Sequence, residues 1–247
     1  MCLAGADADR PAQGNLLLGS LPPREKAMLA PLLTRRHLAG GTRLPHACED
    51  GGGVVYFPET AIVCVGAVAT REEVFGLGMI GCEGVVGWSM LVGGDADHHY
   101  DTVQLKGGTA LVADSGSFAA LCSTEPRLLT AVLRFAYLFS LQLADTLLSN
   151  VRDPVEMRLC RWILMFHDRL AENELSITHD MLAVLLAVRR ATVTDALHIL
   201  EGERLVTCTR GRIVIRSRHA VQDRAGDAYG HAERAYAQTV AAFGKHA

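Results

Sequence analysis

Two kinds of apolar pattern divide this chain. Leu16–Leu33 carries apolar residues at helical spacing, with Pro22 and Pro23 placed to open a helix. Between His37 and Asp114 the pattern changes to short apolar runs separated by turn signals: Val54–Phe57, Ala61–Ala67, Glu73–Leu77, Thr102–Leu105 and Thr109–Ala113. Such runs predict a small antiparallel barrel or jelly roll. Helical spacing then returns. Phe118–Cys122 predicts a short helix ended near Pro126, and Arg127–Asn150 a long one. In the long helix Leu129, Val132, Ala136, Phe139 and Leu143 alternate at three and four, a coiled-coil seam. Leu128, Phe135, Leu138 and Leu141 fall on other faces, so this helix needs cover on several sides. Its own barrel covers one side in this reading, and a second copy of the chain covers the seam. Arg134, Gln142 and Asp145 interrupt the stretch and argue against a membrane span. A hinge is expected at Val151–Pro154, because proline keeps the preceding residue out of α geometry. Val155–Leu170 resumes as a helix, and Ala225–Phe243 predicts a last one, expected to pack on the domain before it.

Residues 175–216 predict two short helices and a hairpin. Leu182, Leu185 and Leu186 give the first helix its apolar face, with Thr178 as its cap. A break is expected near Ala187 and Val188. The second helix turns Val193, Ala196, Leu197 and Leu200 inward. Leu205–Cys208 and Arg212–Ile215 predict two strands around a turn at Thr209, Arg210 and Gly211. This order of helix, turn, helix and wing suits double-stranded DNA: a helix about 10–12 Å across enters the major groove. The guanidinium groups of Arg189 and Arg190, at the start of the second helix, are candidates to bind guanine edges or hold phosphates. Arg189, Thr178, His179 and Thr192 are candidate phosphate contacts, with Thr194, Asp195 and His198 adding contacts and Arg210 and Arg212 serving the wing.

Charge sharpens this picture. The net charge is −3, yet Ser176–His219 holds seven arginines, no lysine and four acidic residues, a local +3 that leaves −6 elsewhere. A positive reader on an acidic body favours local phosphate contact over indiscriminate coating. The seven cysteines are scattered without a CxxC pair, which predicts reduced thiols in a cytoplasm. Met1–Asn15 has neither the basic nor the apolar region of a secretion signal and reads as a loose tail.

The residues Val188-Arg189-Arg190-Ala191-Thr192-Val193-Thr194, within this helix order, resemble the winged helix-turn-helix of the Crp/Fnr family of bacterial transcription regulators. Val55-Tyr56-Phe57-Pro58 and Gly81-Cys82-Glu83-Gly84-Val85-Val86-Gly87 resemble that family's sensory domain, which has the cyclic-nucleotide-binding fold. The resemblance implies an α+β chain in four parts: a tail over 1–14, a sensory barrel over 15–124, a dimerisation helix and hinge over 125–152, and a winged helix-turn-helix with an extra C-terminal helix over 153–247. It implies a homodimeric regulator on a near-palindromic operator, with RNA polymerase as a candidate partner and no cofactor. Arg190 falls where the family's cyclic-AMP receptor has a base-reading arginine. Ala191 and Asp195 depart from that receptor's glutamate and second arginine, so its operator does not carry over.

The effector is harder to read. The family's phosphate cassette pairs a Gly/Glu segment with an arginine. Glu83 and Gly84 fit the first half, but His99 and Tyr100 stand where the arginine belongs. Glu83, Gly84 and His99 are therefore candidate contacts for a small molecule other than cyclic AMP, and Glu83 otherwise bonds local amides. Asp97, His98 and His99 lack the His-x-His spacing of a jelly-roll metal site, and neither a nucleophile elbow nor a P-loop is present. Two other classes stay open: a signal-binding module acting on a protein partner, and a jelly-roll metalloenzyme with an appended reader.

Overall fold

The computed structural model describes residues 14–44, 53–68, 74–92 and 100–240. The tail, His98 and His99 lie outside them. The first helical stretch is broken into α1 (Leu16–Gly19), α2 (Pro23–Leu29) and a single turn at Ala30–Leu32. Pro22 and Pro23 do start a helix, but they also end the previous one.

The barrel strands are β1 (Thr34–Leu38), β2 (Val54–Pro58), β3 (Ile62–Val68), β4 (Val74–Ile80), β5 (Tyr100–Lys106) and β6 (Gly108–Asp114). They form two antiparallel sheets, ordered β1-β6-β2 and β4-β3-β5. Sequence reasoning missed β1: its Thr34, Arg35, Arg36 and His37 are exposed, as suits a polar edge strand. Phe57 and Phe118 meet edge to face in the core, with ring centroids 5.3 Å apart.

Next come α3 (Ser115–Thr124), capped by Asp114, and α4 (Pro126–Arg152), opened by Pro126 at its first position. By length and composition α4 could cross a bilayer, but one face lies on the barrel. Leu128, Val132, Phe135, Leu138, Phe139 and Gln142 are buried there. This corrects the seam assignment. Val132 and Phe139, expected to face a partner, are buried in their own chain, and Leu129, Ala136 and Leu143 are half-buried. The exposed apolar row is instead Leu133, Tyr137, Leu147, Leu148 and Val151. With Ser140 and Ala144, also exposed, positions 133, 137, 140, 144, 147 and 151 again alternate at four and three.

The helix stops at Arg152, and Asp153 (φ −100°, ψ 142°) and Pro154 form the expected break. The rest is α5 (Val155–His167), β7 (Glu174–Ser176), α6 (His179–Leu186), α7 (Arg190–Gly202), β8 (Val206–Thr209), β9 (Arg212–Ile215), α8 (Arg218–Ala225) and α9 (His231–Thr239). The wing has three strands, in the order β7-β9-β8; β7 was not foreseen. The last expected helix is split: Gly226 and Gly230 take φ of 54° and 104°, a left-handed backbone that ends α8 and redirects the chain. α9 then packs along α4, while the start of the expected helix packs on the preceding domain, where Ala225 and Tyr229 join its apolar cluster and the Tyr229 hydroxyl donates to Asp168.

Candidate DNA-binding site

The reader is built by local signals. The Thr178 hydroxyl accepts the Met181 amide at 3.2 Å, capping α6. Leu182, Leu185 and Leu186 are buried beneath it. Ala187 ends α6 with φ +52°, unusual for a residue with a side chain, and the Val188 amide closes back on the Ala183 carbonyl at 3.1 Å. Arg158 of α5 donates to the Leu186 carbonyl at the same turn. α7 then runs with Val193, Ala196, Leu197 and Leu200 inward. At its far end the Glu201 carboxylate accepts the Cys208 amide at 2.6 Å, fixing the wing to the helix.

Thr178, Arg189, Arg190, Ala191, Asp195, His198, Arg210 and Arg212 are exposed, while His179, Thr192 and Thr194 are half-buried. His179 Nδ1 lies 3.0 Å from the Thr194 hydroxyl, and that hydroxyl donates to the Arg190 carbonyl at 3.2 Å. These two residues thus brace α6 against α7. Arg190 makes only a loose pair with Asp180 at 3.5 Å, both groups about two-thirds exposed, and Arg212 a similar one with Glu174 at 3.4 Å. Pairs this open are worth little, so both guanidinium groups can turn to a phosphate or a base. Arg218 is different. It contacts Asp168 at 2.5 Å and the Tyr229 hydroxyl at 2.7 Å, so one of the seven arginines counted in the reader holds α8 to the end of α5.

A Crp-like helix-turn-helix domain profile matches residues 157–224, which is the segment from α5 to α8. Residues 157–224 are similar to a Crp-like helix-turn-helix domain, on a chain with the Crp/Fnr fold. The fold is similar to FixK2 from Bradyrhizobium japonicum (14% identity, 80% of this chain and 99% of that one, TM-score 0.65). It is also similar to TTHB099, a CRP-family transcriptional regulator from Thermus thermophilus (16%, 78% and 97%, 0.64). A third is CLP, a c-di-GMP-responsive global regulator from Xanthomonas campestris (16%, 79% and 100%, 0.64). No curated protein matches the chain.

The expected effector contacts look different in space. Glu83 accepts the Gly81 amide at 3.0 Å, the local turn bond foreseen, but its other oxygen is taken by Arg169, at 2.5 Å and 3.0 Å. Both side chains are almost wholly buried. A Cβ at Gly84 would stand 2.1 Å from the Phe135 ring, so this glycine makes room for α4. The cavity lined by Glu83, Phe135, Gln142, Arg169, Glu233 and Tyr236 holds about 20 Å³, the space of one water. As placed here, Glu83 and Gly84 are not open to a ligand; His99 lies outside the described residues.

No group of three metal-ligating side chains forms among the described residues. Burial pushes the Cys122 thiol up to about 11 and the Cys160 thiol up to about 12. Burial, aided by Glu201, pushes Cys208 up to about 12. Such thiols are poor nucleophiles near neutral pH.

Proposed function

We propose that this chain is a cytoplasmic, homodimeric transcription regulator that reads a near-palindromic operator through α7. The observation that carries the reading is the exposed set Arg189, Arg190, Asp195 and His198 on a capped helix-turn-helix whose inward face is fully packed. Arg190 reads a base edge, with guanine the best fit for its fork of donors. Arg189, Thr178, His179 and Thr192 hold phosphates, Thr194, Asp195 and His198 add contacts, and Arg210 and Arg212 reach the backbone from the wing.

Dimerisation through α4 uses the row 133, 137, 140, 144, 147 and 151. It runs along the side of α4 away from the barrel, and large apolar groups left bare at three-four spacing need a partner. A twofold pair would set two recognition helices about 34 Å apart in successive major grooves. RNA polymerase is a candidate partner of the bound dimer.

The test is Arg190→Ala. It should cost about 1–3 kcal/mol on the preferred site and relax choice at one base position. An equal loss on every sequence would instead make Arg190 a phosphate contact.

A further inference from the structure

The reader does not hang from the hinge. It is docked on the barrel of its own chain. Ile62, Cys64, Met79 and Leu105 of the barrel share one apolar cluster with Leu182, Leu185 and Leu186 of α6. The approach is close: a Cβ at Gly76 of β4 would lie 2.8 Å from the Leu185 Cα. Beside this contact Arg169, which follows α5, reaches into the turn after β4. It pairs with Glu83 at 2.5 Å and donates to the carbonyls of Met79 at 3.0 Å and Met165 at 2.6 Å.

The C-terminal segment closes the same junction from outside. The Tyr236 hydroxyl on α9 donates to the Glu83 carbonyl at 2.5 Å. Tyr236 is buried in the barrel's apolar cluster, although it comes after the reader in the chain. Asp145 of α4 meets His231 at 3.1 Å at the start of α9. None of this covers the arginine face of α7, which stays exposed. The docking thus fixes where the reader points without hiding it.

We propose that α9 and the Glu83–Arg169 pair form a clasp that holds each reader in one orientation on its own barrel, so that a dimer is preset for two half-sites with no small molecule lodged at Glu83. The proposal rests on the DNA-binding reading above and adds what sets the spacing of the two readers. Fixing both readers in the bound arrangement removes an ordering cost that a loosely tethered pair would meet on binding the second half-site.

The test compares the full chain with Tyr236→Phe, which removes one hydroxyl, and with Gly76→Val, which wedges β4 from α6. Affinity is measured on a duplex with two half-sites and on one with a single half-site, without added ligand and with saturating cyclic AMP. Amide hydrogen exchange in α6 and β4 is followed in parallel. The expected result is faster exchange in both variants and a loss of roughly tenfold on the double site. Single-site affinity stays unchanged, and cyclic AMP alters neither affinity in any of the three proteins. Equal losses on both duplexes, no loss, or tighter binding would overturn the clasp, as would a double-site affinity that depends on cyclic AMP. A wild-type chain that binds no DNA at all would sink the underlying reading instead. Exchange in α6 that is the same in all three proteins would sink the clasp on its own.

Discussion

Replacing Glu83 by glutamine tests the junction at its most buried point. The Arg169 and Glu83 side chains are 1% and 4% exposed, so neither charge is shared with water. Removing one partner of such a pair leaves the other charge buried and costs about 3–5 kcal/mol. For a chain of this length that lowers the melting temperature by about 10 °C. Glutamine has one oxygen where Glu83 uses two, so it can accept the Gly81 amide or the Arg169 donors but not both, and the loss combines the missing charge with a missing acceptor. Adding Arg169→Met removes the stranded guanidinium. It orphans the Met79 and Met165 carbonyls, at about 1 kcal/mol each, but ends the larger penalty. The double variant should therefore be more stable than Glu83→Gln alone by about 1–3 kcal/mol. Thermal and urea unfolding of the wild type, both single variants and the double variant read this directly. A Glu83→Gln cost below about 1 kcal/mol, or a double variant whose loss is the sum of the singles, would refute the reasoning.

Leu147 is 68% exposed on the outer row of α4. Leu147→Asp should convert the dimer to a folded monomer, seen by light scattering with an unchanged circular dichroism spectrum; a persistent dimer would move the interface elsewhere. Burial, with Asp168 adding, holds the Glu233 carboxyl above the usual carboxylate range. Its folded form favours the proton, so the stability it contributes is complete below that usual range and is lost as pH rises through the raised value. Glu233→Gln, which can still accept the Gly230 amide, should flatten this decline in a series of melting temperatures against pH. Parallel profiles for the two proteins would contradict it.

The reader was legible because its signals are local. A cap at Thr178, two apolar faces at helical spacing and a Gly211 turn (φ +72°) specify helix, turn, helix and wing within some forty residues. The barrel's apolar runs were legible for the same reason, whereas β1 was hidden by its polar edge composition. Val132 and Phe139, expected at the seam on α4, meet the chain's own barrel for a physical reason. Residues 129, 132, 136, 139 and 143 and residues 133, 137, 140, 144, 147 and 151 both alternate at three and four. Periodicity cannot say which row meets the barrel. The close approach of Gly84 to Phe135 and of Gly78 to Phe139 decides it. The Glu83–Arg169 pair joins positions 86 residues apart, and the Tyr236–Glu83 bond joins positions 153 apart; neither leaves a mark in local sequence. The local bond from the Gly81 amide to Glu83 was legible in the motif, whereas its internal partner Arg169 was not.

The most direct test of the central claim is genome-wide mapping of bound DNA for the wild-type chain and for Arg189→Ala with Arg190→Ala. The account predicts discrete sites sharing an inverted repeat with half-site centres one helical turn apart, about 34 Å, all lost in the double variant. Sites that survive both substitutions, or bound fragments without twofold symmetry, would contradict it.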